Sequence, residues 1–286
     1  VIEMARILLI DNGSLRAEAY QNLDWHAKAL TGRLAVHVMP APLMHSDKIP
    51  ASDLDGECAQ LWDQAATEAI LAGETRFYIL PFFLGPTRAI TEYLPAKIHT
   101  FKEHFPEVTF ECLPFLATGV ADADIELLDI LEAYVRERID ALHWEQPAVV
   151  LVDHGSPVKA VAELRNRVAH NLQDRLANSV KCVLPASMER RPEPEYAFNE
   201  PLLERAFEAY GLMSQPVIVA QFFLSPGRHA GRNGDVVRIC KTLMEKHPDV
   251  QVETTPPISY HPRFLDLLER RWREWVSTAS CGEQAL

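Results

Sequence analysis

The chain has 286 residues, 48% of them hydrophobic, and carries 28 Lys and Arg against 40 Asp and Glu for a formal net charge of −12. This length holds one large domain or two of ordinary size, with enough apolar residues for packed cores. The acidic balance argues against a sequence-independent grip on nucleic acid or an anionic membrane, although a few local arginines can still bind a small anion. Ala5 to Ile10 is an apolar run ending in Asp11-Asn12-Gly13-Ser14, a strand followed by a turn. Leu15, Ala19, Leu23, Ala27 and Leu30 recur at helical spacing and predict a helix over 15–30. A strand over 34–39 follows, ended by Pro40 and Pro42, and then a helix over 58–72 that stops at Gly73. Strands are expected over 77–84 and 108–114. Between them lies a helix over 89–105 interrupted at Pro95, and after them a long helix over 124–142.

The same order returns in the second half. Strands are expected over 148–152, 181–185, 217–224 and 250–254, alternating with helices over 161–176, 201–210, 235–246 and 264–276. Residues 277–286 read as a loose tail. Strand and helix in alternation predict an α/β fold of parallel sheets covered by helices on both faces. No apolar run reaches the length of a membrane span, and the first ten residues lack the pattern of a signal peptide. Cys58, Cys112, Cys182, Cys240 and Cys281 are scattered and odd in number, without C-x-x-C spacing. They read as free buried thiols in a reducing cytoplasm, not as a disulfide framework or a zinc or iron–sulfur site.

Two motifs recur. Ile-Asp-Asn-Gly-Ser at 10–14 returns as Val-Asp-His-Gly-Ser at 152–156, and Phe-Phe-Leu-Gly-Pro-Thr-Arg-Ala at 82–89 returns as Phe-Phe-Leu-Ser-Pro-Gly-Arg-His at 222–229. Both pairs stand about 140 residues apart, which marks a duplicated unit. The expected lobes are residues 1–145 and 146–276. The copies differ where chemistry would sit: His154 and His229 of the second copy are Asn12 and Ala89 in the first.

In a parallel α/β lobe the loops at the carboxyl ends of the strands form the ligand crevice. His154 follows the first strand of its lobe, Glu189 the second and His229 the third, so all three belong to one sheet edge. Imidazole binds first-row divalent metals and takes up protons near neutral pH, and a carboxylate can act as acid, base or oxygen ligand. Taken alone, His154 reads as a polar residue capping a turn and His229 as a solvated loop histidine; their paired loss from the sister copy favours a site. Aligning Pro40 with Pro185 sets Met44 opposite Glu189, so the carboxylate too belongs to one copy. Gly155 allows close backbone approach to a ligand. Arg88 and Arg228 match across the copies, with Arg190, Arg191 and Arg232 in nearby loops; such guanidinium groups suit a polycarboxylate ligand. His261 follows the fourth strand and is a weaker candidate for the same edge. Dinucleotide, phosphate-loop and serine-elbow motifs are absent.

These residues resemble the CbiX/SirB-type class II chelatases, which include sirohydrochlorin cobaltochelatases and ferrochelatases. The resemblance rests on His154-Gly155-Ser156, Met188-Glu189, Phe222 to His229 and the doubled unit, and covers most of residues 5–275. It implies two flavodoxin-like lobes, each with a parallel sheet of about four strands, facing across a cleft that takes a tetrapyrrole. It further implies that His154 and His229 hold Fe²⁺ or Co²⁺, the metal being a substrate with no permanently bound cofactor, and that Glu189 assists with protons or metal. Arg88, Arg228, Gly155 and Ser156 would contact the pigment. Histidines in the second lobe, and Pro157 after His-Gly-Ser, depart from some long members of the family. A tetrapyrrole carrier and a metal-binding regulatory protein are the alternatives. The duplication makes a functional monomer possible and leaves a dimer open.

Overall fold

A computed structural model describes residues 5–283. The strands are β1 (Ala5–Ile10), β2 (His37–Pro40), β3 (Arg76–Pro81), β4 (Thr109–Cys112), β5 (Ala148–Asp153), β6 (Cys182–Ser187), β7 (Val217–Gln221) and β8 (Val252–Thr254). The helices are α1 (Ala17–Leu34), α2 (Trp62–Leu71), α3 (Leu94–Lys102), α4 (Ile125–Leu142), α5 (Lys159–Leu176), α6 (Leu203–Ala209), α7 (Asp235–Lys246) and α8 (Phe264–Glu283). Two four-stranded sheets result, ordered β2-β1-β3-β4 and β6-β5-β7-β8, and every pairing is parallel. This is the doubly wound α/β architecture expected from the alternation. Among the described residues no helix is long and apolar enough to cross a membrane.

The central strands explain the order. β5 reads Ala-Val-Val-Leu-Val-Asp and is buried at every position, and Ile7 to Ile10 of β1 are fully buried. A continuous apolar run of this kind suits a strand covered on both faces. Leu8, Ile10, Trp62, Phe77 and Ile79 pack together in one sheet's core; Val150, Val152, Phe207, Val219 and Val236 do so in the other's. Each such side chain contributes about 1.5–3 kcal/mol on burial.

The registers make the two copies superposable residue by residue. Leu9 faces Pro40 and Leu80 in the first sheet; Leu151 faces Pro185 and Ala220 in the second. Asn12 therefore corresponds to His154, Pro42 to Ser187, Met44 to Glu189 and Pro81 to Gln221. Helices α1 and α5 begin 142 residues apart, at 17 and 159, which sets Leu23 opposite Arg165.

The compact units differ from the expected lobes 1–145 and 146–276. One unit comprises residues up to Leu116 together with those from Leu265 on; the other is Ala117–Phe264. The copies exchange their last helices. α4 follows β4 but packs in the second unit, where Tyr134 Oη donates to the Pro257 carbonyl (3.4 Å) and Arg138 Nε to that of Thr254 (3.2 Å). α8 follows β8 but packs in the first, where Trp272 meets the Tyr78 ring edge-on (5.2 Å) and Arg271 donates to the Leu116 carbonyl (3.0 Å). Connection length alone does not say which sheet a terminal helix covers; its apolar partners do.

Three smaller expectations are corrected. α8 runs on to Glu283, through most of the expected tail, because no glycine or proline interrupts it before Gly282; residues 284–286 lie outside the described ones. Cys58 and Cys112 are exposed, Cys182 is half-buried and only Cys240 of these four is buried. Cys112 lies on the short edge strand β4, which faces solvent at three of its four positions. The side chain of Cys281 lies outside the described ones. Pro95 modifies its helix without ending it: a π-turn over Ala89–Tyr93 leads straight into α3, a wider turn beside the residue that lacks an N–H.

Candidate metal centre

The site is built where β5, β6 and β7 end. After Asp153 the chain turns at His154 and Gly155. The Met188 N–H donates to the Asp153 carbonyl (2.8 Å) and the Glu189 N–H to that of His154 (3.1 Å). This short backbone ladder carries the β5–β6 pairing past the sheet edge and sets His154 beside Glu189. Gly155 has φ +89°, and a Cβ on it would stand 1.9 Å from the Glu189 carbonyl oxygen, so only glycine fits.

His229 comes from the third loop. Gln221, the buried last residue of β7, accepts the Gly231 N–H (3.0 Å) and donates to the Thr255 carbonyl (2.7 Å). The first two amides of α7, from Asp235 and Val236, donate to the carbonyls of Arg228 and His229 (3.0 Å each). The loop is thus anchored on both sides of the histidine.

The three side chains converge. One ligand-type atom from each of His154, Glu189 and His229 lies within 4.8 Å of the others. The imidazoles meet edge-on with centroids 4.6 Å apart, and His154 Nε2 stands 3.5 Å from Glu189 Oε1. His154 and Glu189 are exposed at 53% and 55%, whereas His229 is at 12%. His154 Nδ1 lies 3.0 Å from the Gly155 carbonyl, so the ring is turned with Nε2 toward Glu189. Asp235 Oδ2 lies 2.9 Å from His229 Nδ1, but off the line a hydrogen bond needs, so this pairing is electrostatic. Burial holds His229 below the usual imidazole range, and the charge of His154 pushes it the same way against Asp235 and Glu189. A neutral imidazole is the form that binds metal. Two nitrogens and a carboxylate form a mixed donor set suited to first-row divalent ions. The spacing is a little wider than that of a closed metal site, and two of the three side chains are exposed.

The other expected residues are placed as follows. Ser156 is buried; its Oγ accepts the Val158 N–H (3.0 Å), and its backbone N–H and carbonyl bond the Asn199 side chain (3.0 and 2.9 Å). Arg228 is exposed with Nε 3.7 Å from Asp235. Arg88 belongs to the first unit and faces Glu92 (3.6 Å). Arg190 is held by Glu200 (2.7 Å), and Arg191 lies over the Tyr196 ring. His261 accepts the Arg263 N–H and packs on Tyr134, outside the cluster. Sequence reasoning missed Asp235, Arg165, Ser187, Asn199 and Gln221 as supports. Arg165 left a signal: a charge beside Leu164 and Val168, on the apolar stripe of a helix.

In the first unit Gly13 repeats the turn, with φ +81° and a would-be Cβ 1.7 Å from the Met44 carbonyl oxygen. The corresponding side chains there are Asn12, Met44 and Ala89, which offer no comparable set.

Comparison with solved structures identifies this fold. SirB from Bacillus subtilis with Fe³⁺ is 17% identical, with a TM-score of 0.69 and 94% of each chain covered. The sirohydrochlorin chelatase SirB from Bacillus subtilis subspecies spizizenii in complex with cobalt is 16% identical, with a TM-score of 0.66 and the same coverage. CbiX, the terminal enzyme for biosynthesis of siroheme in denitrifying bacteria, is 14% identical, with a TM-score of 0.56, covering 94% of this chain and 98% of its own. No curated protein is a significant sequence match. The CbiX family profile matches twice, over residues 6–137 and 148–275, and the chain belongs to the CbiX family.

Proposed function

We propose that this protein is a chelatase that inserts Fe²⁺ or Co²⁺ into sirohydrochlorin or a closely related tetrapyrrole. One observation carries the reading: His154, Glu189 and His229 converge at the carboxyl edge of one sheet, and the sister sheet lacks all three. Membership of the CbiX family and the folds of SirB with Fe³⁺ and with cobalt support it.

The reaction replaces two pyrrole N–H bonds by metal–nitrogen bonds and releases two protons, while the metal sheds water and protein ligands. Three donors on an exposed face suit this, because a closed four-ligand site would retain the ion. His154 Nε2 and the His229 ring hold the incoming metal. Glu189, exposed beside them, takes up a pyrrole proton or steadies the ion. As each imidazole gives up the metal its lone pair becomes free for the second proton. Arg228, exposed in the loop that carries His229, is the group proposed to hold a carboxylate of the pigment.

The test is anaerobic absorbance with sirohydrochlorin and Fe²⁺ or Co²⁺. A metallated spectrum forming faster than in the protein-free control is expected, and His154→Ala/His229→Ala should fall to the control rate with an unchanged circular dichroism spectrum. Undiminished insertion by that variant sinks the mechanism. A pigment shift without metallation makes the protein a carrier instead.

A further inference from the structure

Behind the three donors lies a buried, charged interior. Arg165 projects from α5 into the core and is 1% exposed. Its Nη1 donates to Asp153 Oδ1 (2.9 Å), to the Ala186 carbonyl (3.2 Å) and to Ser187 Oγ. Nε and Nη2 both donate to Asn166 Oδ1 (3.1 and 2.9 Å). Ser187 Oγ in turn donates to Asp153 Oδ1 (2.7 Å), which also accepts the Gly155 N–H (3.1 Å). One guanidinium therefore joins the last residue of β5 to the last residue of β6. His154 is the next residue after the first, and Glu189 stands two beyond the second.

The first unit serves as an internal control. It forms the same glycine turn, with the Gly13 N–H on Asp11 Oδ1 (2.9 Å), and the same close approach to the β2 extension. It does so with fully buried Leu23 in place of Arg165 and with Pro42 in place of Ser187. The turn and the packing need no arginine. What the first unit lacks along with the arginine is the donor set.

We infer that Arg165 is a positioning residue: by bridging Asp153 and Ser187 it fixes the separation and aim of His154 and Glu189 toward a shared divalent cation. This rests on the reading of those side chains as metal-holding. Groups that orient ligands from behind act in this way at metal sites, and their loss typically weakens metal binding about 10–100-fold.

The test uses Co²⁺ alone, titrated into the full chain and followed by its visible ligand-field absorption. The informative variant is Arg165→Leu/Asp153→Asn, which removes both buried charges and installs the first unit's leucine. The expected result is Co²⁺ affinity weakened about 10–100-fold, with a shifted absorption band and a retained cooperative unfolding transition. Wild-type affinity and band shape in that folded variant overturn the inference. Arg165→Lys keeps the charge without the planar fork and guards against failure of the double variant to fold; it should also shift the band, and an unaltered band and affinity again overturn the inference. His154→Ala/His229→Ala separates the two levels. If the wild type binds no Co²⁺, or binds it equally well without the histidines, the metal-site reading falls and the inference with it. If binding needs the histidines but ignores both Arg165 variants, the inference alone falls.

Discussion

The two units share strand order, register and a glycine turn pressed onto a neighbouring carbonyl, yet their carboxyl edges differ in kind. In the first, Leu23, Pro42, Pro81 and Met44 occupy the key positions; in the second, Arg165, Ser187, Gln221 and Glu189 replace them. Buried polar groups stabilise a fold less than well-packed apolar ones unless every partner is in place. The first unit shows that the scaffold folds with the apolar solution. The polar interior of the second is therefore explained by what it presents at its surface, two imidazoles and a carboxylate.

The sharpest way to break this comparison is to move the second unit toward the first one charge at a time. Arg165→Leu alone leaves Asp153 buried and unpaired, and stability should fall by about 3–5 kcal/mol. Adding Asp153→Asn should recover most of that loss, since a neutral pair in a well-packed site is often tolerated. Denaturant midpoints of the two variants measure the difference. A single variant as stable as the double would mean that the ion pair does not have the energetic weight its burial implies.

The glycines give a finer comparison. Gly13→Ala and Gly155→Ala each force a left-handed φ and a carbonyl clash on a side chain, and each should cost about 1–3 kcal/mol. The clash partners differ. Alanine at 155 pushes on the backbone of Glu189 and should weaken Co²⁺ binding; alanine at 13 pushes on that of Met44 and should leave binding unchanged. Equal effects on Co²⁺ affinity would show that the turn does not transmit to the donors.

Much of this was legible in the chain. Alternating apolar runs gave the succession of strands and helices along the chain, and the repeated Asp-x-Gly-Ser and Phe-Phe-Leu motifs placed His154 and His229 on one edge, because parallel strands point their carboxyl ends the same way. Glu189 followed from its place just after the second strand of its lobe, and the proline alignment that sets Met44 opposite it agrees with the sheet register. The supports were harder to see. Asn199 lies in a short 3₁₀ stretch with no periodicity, and Gln221 looks like an ordinary strand residue until its partners Gly231 and Thr255 are known. The exchange of α4 and α8 was hidden for another reason: both helices follow their fourth strand at a similar distance, and only contacts such as Trp272 on Tyr78 reveal the sheet each one covers.

The smallest expected effect concerns the acid that the first unit keeps without an arginine. Asp11 corresponds to Asp153, but the position of Arg165 is Leu23, and burial raises the Asp11 carboxyl from 3.8 to about 6 against the lowering effect of the Gly13 N–H. A carboxyl raised on folding binds its proton more tightly in the native state, so it destabilises the protein above about pH 6, and the penalty fades as pH falls toward 4. A rise of this size corresponds to at most about 3 kcal/mol, and water reaching a half-buried group reduces it to about 1–2 kcal/mol. Asp11→Asn keeps an oxygen for the Gly13 N–H and removes the charge. Its stability should exceed that of the wild type at pH 8 and converge with it near pH 4, as read from denaturant midpoints across that range. A difference independent of pH would mean that Asp11 is ionised without penalty, and that the first unit tolerates an unpaired acid at the position where the second places an arginine.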